Sequence, residues 1–237
     1  LFAPGVGLLA ANESGILRFA ADGAPEPWVA TGPDLRSPES LAWGEGRVYV
    51  TDDAGASVLA YDPRGTLLGR RGSGWRSPEG IAVDGQGRLI VADEAIPGIV
   101  RLEAGGPRLL ASALDGLRSP EELCFDDEGN LYVSDEGARR VFRISPEGRV
   151  ETFLGPEQGL RSPEGIAWHA GHLYVSDPVA VAVLRYDPAG RGGAIVSLAR
   201  RHRDLGGLAF DDRGILYLSS ASDYRPRNFV LRIEGVR

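Results

Sequence analysis

The sequence predicts an all-β chain folded as a six-bladed β-propeller, each blade a four-stranded antiparallel sheet. The phrase Arg-Ser-Pro-Glu recurs at residues 36–39, 76–79, 118–121 and 161–164, and a degenerate copy, Arg-Asp-Leu-Gly-Gly, starts at Arg203. The starts are 40, 42, 43 and 42 residues apart. Between them, short apolar runs alternate with turns rich in Asp, Pro and Gly, and four strands per period of about forty residues is the signature of propeller blades. Residues 1–35 hold a partial copy. Six units (1–35, 36–75, 76–117, 118–160, 161–202 and 203–237) then account for all 237 residues as one domain, with the ring closed by the two termini.

The elements follow in order. The first unit offers strands at Gly7–Asn12, 16–19 and 28–30, with little before them. The last stops just after Phe229–Ile233, so residues 1–4 are expected to pair with the last blade and remove an exposed sheet edge. In each complete unit the first strand follows the proline, as at residues 80–83, with small residues where inner strands crowd the axis. A turn such as Asp-Gly-Gln-Gly leads to the second strand, at Leu131–Asp135 or residues 173–177. The third alternates apolar and polar residues, as at 141–144 and 183–186. Turns of the type Asp-Pro-Arg-Gly lead to the fourth, for example Val150–Leu154.

Composition removes several classes of function. The formal net charge of −7 and a pI near 5.1 argue against nucleic acid, which needs a basic face. All 26 positive charges are arginine, and methionine is absent. With Asn and Gln scarce, this bias fits a GC-rich genome and a thermophilic bacterial source. One cysteine, Cys124, excludes an intrachain disulfide framework. No apolar run approaches the roughly 18 residues of a membrane span. The opening residues resemble a signal core but lack a basic flank and align with the repeats, so they read as structure. A chain that starts at leucine is expected to have lost something upstream.

The repeat also places chemistry. In a blade, the loop entering the first strand and the loop leaving the second lie on the same face. Glu39, Glu79, Glu121 and Glu164 are therefore expected around one mouth of the channel, presented alike because a proline precedes each. Asp52, Asp93, Asp135 and Asp177 fall farther out on that face, joined by Glu94 and Glu136. Carboxylates crowded in this way repel and raise one another's pKa. One reading relieves them with a divalent cation, calcium first, because calcium takes six to eight oxygen ligands. The other uses the arginine three residues before each glutamate, in salt bridges between blades. Acidity is missing at Gly206 and in the first unit, and the long loop after Ser220 brings Tyr224, Arg225 and Arg227 to that side as candidate ligand-binding residues. The partner is then a small-molecule substrate or a protein ligand at the mouth.

The second-strand aspartates are expected to accept backbone amides in their turns. His169 and His172 lie in a tight turn on the opposite face and read as a hydrated rim. His202 shares the column of Leu35, Trp75, Leu117 and Leu160 and reads as packing. Cys124 reads as a small buried apolar residue. No nucleophile elbow, P-loop, zinc or dinucleotide motif is present.

The unit that starts at Ser77 and runs through Gly80-Ile81-Ala82-Val83 and Ala92-Asp93 resembles the NHL-type repeat, and the resemblance covers essentially the whole chain. It extends to the gluconolactonase and senescence-marker-protein (regucalcin) family and to strictosidine-synthase-like propellers. The first of these implies lactone hydrolysis at a divalent cation held at the channel mouth. That family's glutamate, followed four residues later by tryptophan, is matched by Glu39 and Trp43, and also by Glu164 and Trp168. Its asparagine-glycine and proline-aspartate-glycine motifs are replaced here by proline-glutamate. If Glu39 takes the first-blade place, the general base falls on Gly206; if Glu164 does, it falls on Glu79, which keeps a carboxylate. The resemblance implies a cation-dependent hydrolase with Glu39, Glu79, Glu121 and Glu164 as ligands and Glu79 or Glu164 as catalytic candidates. A non-catalytic NHL-type propeller binding on its acidic face is the alternative.

Overall fold

The structure, a computed structural model, describes residues 1–20, 23–198, 205–220 and 229–235. The candidates His202, Arg203, Tyr224, Arg225 and Arg227 lie outside the described residues. Contacts cluster into two compact units, Leu1–Leu110 and Ala111–Arg237.

Unit 1 holds three four-stranded antiparallel sheets. They are β1–β4 (Phe2–Ala3, Gly7–Asn12, Gly15–Phe19, Pro25–Ala30), β5–β8 (Pro38–Gly44, Arg47–Asp52, Ser57–Tyr61, Leu67–Arg71) and β9–β12 (Pro78–Val83, Leu89–Asp93, Gly98–Glu103, Gly106–Ser112, the last running two residues into unit 2). Unit 2 holds β13–β16 (Pro120–Phe125, Leu131–Asp135, Arg140–Ile144, Val150–Leu154) and β17–β20 (Ile166–His169, His172–Asp177, Ala182–Tyr186, Gly192–Ser197). Its last sheet has three strands among the described residues, β21–β23 (Leu205–Phe210, Leu216–Ser220, Phe229–Ile233). These are the six blades that the repeat predicts, and the fold class is the six-bladed β-propeller. Among the described residues no helix is long and apolar enough to cross a membrane.

At the N-terminus, Phe2–Ala3 pairs with its own neighbour, Phe2 opposite Leu8 and Ala3 opposite Gly7. The cause is local. Gly5 takes a left-handed φ of 77°, the Val6 amide donates to the Ala3 carbonyl at 3.0 Å, and this tight turn folds the first residues back. The amino group of Leu1 then donates to the Leu9 carbonyl at 3.1 Å.

The core lies between successive sheets of each unit. In unit 1, Leu9, Ile16, Leu35, Val48, Val50 and Leu59 form one cluster, and Tyr49, Val58, Trp75, Ile81, Leu89 and Val91 another. In unit 2, Tyr132, Val141, Leu154, Leu160, Leu173 and Tyr186 pack together, as do Tyr174, Val183, Leu205, Leu216 and Leu218. A second strand covered on both faces cannot alternate, and β6, β10, β14 and β18 are buried almost throughout. Their few hydroxyls are therefore bonded rather than hydrated. The Ser134 hydroxyl accepts from the Glu122 amide at 3.0 Å in its own blade and donates to the Glu164 carbonyl in the next. The Ser176 hydroxyl accepts from the Gly165 amide at 2.9 Å and donates to the Gly206 carbonyl at 2.6 Å. The Thr51 hydroxyl accepts from the Ser40 amide and donates to the Glu79 carbonyl. This hydroxyl clamp joins blades at the first strand. Ser134→Ala is expected to cost about 1–2 kcal/mol in a urea unfolding series, since it strands one amide and one carbonyl. An unchanged midpoint would remove the clamp from the account.

Inner-strand crowding is also visible at Gly165. A Cβ there would lie 2.3 Å from the Gly206 carbonyl oxygen and 2.8 Å from the Gly207 Cα. The small residues expected near the axis are required by that approach.

Candidate functional site

Each glutamate of the repeat sits where a first strand begins, and its surroundings are built by the aspartate that ends the second strand. Asp135 is fully buried and accepts three backbone amides: Arg118 at 2.8 Å, Ser119 at 3.0 Å and Ala138 at 2.7 Å. Asp52 does the same for Arg36, Ser37 and Gly55, Asp93 for Arg76, Ser77 and Ile96, and Asp177 for Arg161, Ser162 and Ala180. The structural role expected of these four residues is therefore present. Each one ties the entry loop of its blade to the loop between the second and third strands, and so sets the height of the glutamate that follows.

The residue after that aspartate adds a second tie in three blades. The amides of Asp53, Glu94 and Glu136 donate to the carbonyls of Ser37, Ser77 and Ser119 at 2.9, 2.9 and 3.1 Å. In the fifth blade this residue is Pro178, which has no amide hydrogen. There β17 starts only at Ile166, whereas β5, β9 and β13 start at the proline before the glutamate. The backbone register is nonetheless that of the other blades: the Glu164 amide donates to the Ser176 carbonyl at 3.1 Å and the Gly165 amide to the Ser176 hydroxyl at 2.9 Å, as the Glu122 and Ser40 amides do to the Ser134 and Thr51 hydroxyls. What Pro178 removes is the second tie.

The side chains of unit 1 form an acidic cluster. Ser37 Oγ donates to Glu39 Oε1 at 2.9 Å. Ser77 Oγ donates to Asp53 Oδ1 at 2.7 Å and lies 3.4 Å from Glu79 Oε1. Burial pushes the Glu79 carboxyl up to about 8, and the charges of Glu39, Asp53 and Glu94 push it the same way. Glu39 also rises, first through burial and then through Asp53 and Asp52. Asp53 is a member that the repeat did not single out. It belongs to a column with Glu94 and Glu136 that is legible once the second-strand aspartates are aligned.

In unit 2, Ser119 Oγ lies 3.4 Å from Glu121 Oε1, and the Ser162 hydroxyl donates to Glu136 Oε1 at 2.6 Å. The Glu164 amide donates to the Ser176 carbonyl at 3.1 Å. Among the described residues, none of the salt bridges joins Arg36, Arg76, Arg118 or Arg161 to a glutamate of the repeat. These four side chains are exposed, and it is their backbone amides that are held.

Donor chemistry here suits a hard cation, since the titratable groups are carboxylates and burial with acidic neighbours pushes the Glu79 carboxyl up to about 8. Among the described residues, no three of His, Cys, Asp and Glu converge at metal-ligand spacing.

The residues set aside from the sequence are structural. His169 is more than a hydrated rim: its ring stacks on Phe210 with centroids 4.1 Å apart. His172 Nδ1 lies 3.0 Å from the Ala170 carbonyl. Cys124 packs against the core cluster of unit 2, and burial pushes its thiol well up. Trp43 packs against the first core cluster of unit 1. Trp168 stacks on Tyr132 and donates from its indole nitrogen to Asp127 Oδ2 at 3.0 Å. Both tryptophans of the glutamate-to-tryptophan spacing thus have packing roles.

No family model matches the sequence, and no curated protein matches it either. Solved structures do match. A protein inferred to be a gluconolactonase superposes with a TM-score of 0.67 at 23% identity, over 82% of this chain and 73% of that one. A gluconolactonase from Xanthomonas campestris gives 0.66 at 24% identity, over 77% and 69%. A chain of a nidogen–laminin complex gives 0.63 at 26% identity, over 75% and 69%. The chain is similar to gluconolactonases in fold, as its repeats predict, and the same fold serves in a protein–protein complex.

Proposed function

We propose that this protein is a cation-dependent hydrolase of small cyclic esters, acting at the glutamate-bearing ends of its blades. The observation that carries the reading is the acidity gathered around Glu79, whose carboxyl burial and the neighbouring Glu39, Asp53 and Glu94 push up to about 8. Glu39 and Glu79 are the residues that would hold a divalent cation in unit 1, calcium being the first choice, and Glu121 and Glu164 are the repeat's counterparts in unit 2. Such a cation, when bound, polarises an ester carbonyl and acidifies a coordinated water. The chain's own contribution is the placement of its carboxyls. Below about pH 8 the Glu79 carboxyl is a neutral hydrogen-bond donor; above it, Glu79 is a carboxylate able to accept a proton. Likeness in fold to gluconolactonases supports the choice of ester.

A second reading has its own support. The lack of a convergent three-donor cage among the described residues, together with the nidogen–laminin likeness, favours a non-catalytic propeller that binds a protein or small ligand on the same acidic face.

Calorimetric titration of calcium, zinc and manganese into EDTA-treated protein separates the two. The hydrolase reading expects saturable binding of one of these ions, lost in Glu39→Gln, and lactone turnover that needs the same ion. If no cation binds and no lactone is turned over, the second reading stands.

A further inference from the structure

We propose that the cleft between the loops of the fourth and fifth blades is a binding site for a small oxyanion, a carboxylate or a phosphate, gripped by Arg139 and Arg161. The cleft has a volume of about 630 Å³, and Ser119, Glu136, Arg139, Arg161, Ser162 and Val179 line it. It lies wholly within unit 2, at the end of the blades that carries the glutamates. The site stands whether or not those glutamates hold a cation.

Charge is the first argument. Several other arginines of the unit pair with carboxylates, Arg143 and Arg149 with Glu151, Arg191 with Asp187 and Arg213 with Asp211. Arg118 and Arg140, which do not line the cleft, have no such pair among the described residues. Among the described residues, Arg139 and Arg161 pair with none. The acid that lines the same cleft, Glu136, already accepts from the Ser162 hydroxyl at 2.6 Å. Two planar guanidinium forks against one engaged carboxylate leave the cleft net positive in an acidic protein. Guanidinium geometry matches carboxylate and phosphate oxygens in pairs.

Backbone is the second argument. Arg139 has a φ of 54°, a left-handed turn position occupied by Ala56 in the second blade and by Val181, at 53°, in the fifth. The turn demands that conformation and not an arginine, so the fold does not explain the side chain. Arg161 is held by its amide, which donates to Asp177 at 2.6 Å and leaves its guanidinium to the cleft. Val179, 58% exposed, supplies an apolar wall for the carbon part of a ligand.

The test is titration with gluconate and with inorganic phosphate, read by calorimetry at constant ionic strength. Saturable binding of one or both is expected, and competition between them would show one shared site; the tighter of the two identifies the natural class. Arg139→Gln and Arg161→Gln should each weaken binding about tenfold, the worth of one charge-assisted hydrogen bond. Glu136→Gln, which removes the opposing charge and keeps an oxygen for Ser162, should tighten it. Thermal midpoints close to that of the parent protein would confirm that the variants fold. Arg36→Gln, an equally exposed arginine of unit 1, serves as control. Failure of both anions to bind overturns the proposal, as does an equal loss in Arg36→Gln, which would mark diffuse surface attraction.

Discussion

Asp135→Ala is expected to lower the unfolding free energy by about 4 kcal/mol, because each buried amide left without an acceptor costs roughly 1–3 kcal/mol. Three amides depend on this one fully buried carboxylate, those of Arg118, Ser119 and Ala138. Alanine leaves all three unsatisfied in a space too tight for easy hydration. Asp135→Asn should cost about half as much, because its amide oxygen still accepts while its NH2 group opposes a donor. The loss reaches the site as well. The entry loop that these amides anchor is the one that positions Glu121, so the variant should also loosen protection of the Ser119 amide in hydrogen exchange. A urea midpoint within about 1 kcal/mol of the parent for Asp135→Ala would show that the aspartate column is not what holds these loops.

Glu79→Gln should stabilise the protein, and increasingly so as pH rises from 5 to 8. In the folded chain the Glu79 carboxyl keeps its proton to about pH 8, against an ordinary value of 4.5. Below 4.5 the group is protonated in both states and contributes nothing. Between 4.5 and 8 the unfolded chain releases the proton and the folded one retains it, so folded stability falls through that window; above it the loss is complete. A displacement of this size has a ceiling of about 5 kcal/mol, and solvent access to a half-buried group reduces the expected gain for glutamine to about 2 kcal/mol at pH 8. The same proton couples to ligand. A cation that binds Glu79 must displace it, so binding near pH 7 should release about one proton, measurable as a dependence of calorimetric heat on the ionisation enthalpy of the buffer. Lactone turnover should fall about a hundredfold in the same variant, the usual contribution of a positioned acid or base. A melting-temperature profile for Glu79→Gln that runs parallel to the parent's from pH 5 to 9 would show that no unusual carboxyl exists there.

The sequence by itself determined the blades. A period of about forty residues, a proline before each first strand and Asp-x-x-Gly turns leave few ways to arrange the strands, and Leu131–Asp135 and Val150–Leu154 occur as the pattern predicts. It also determined the aspartate column, because an acid at the end of a buried strand must find donors, and the nearest are amides of its own blade. Only the tertiary structure decided what lies between elements. A turn at Gly5 folds Phe2–Ala3 onto Gly7–Asn12 in the first sheet, a local hydrogen bond that the repeat pattern does not encode. Pro178, by lacking one amide hydrogen, removed from the fifth blade the second tie that Asp53, Glu94 and Glu136 supply in three others. The arginines of the repeat looked like partners for the glutamates three residues on, yet it is their backbone amides that the buried aspartates hold. Spacing along a chain fixes which residues reach the same end of a blade. Which charges then meet depends on side-chain direction and burial, and those exist only once neighbouring blades have packed.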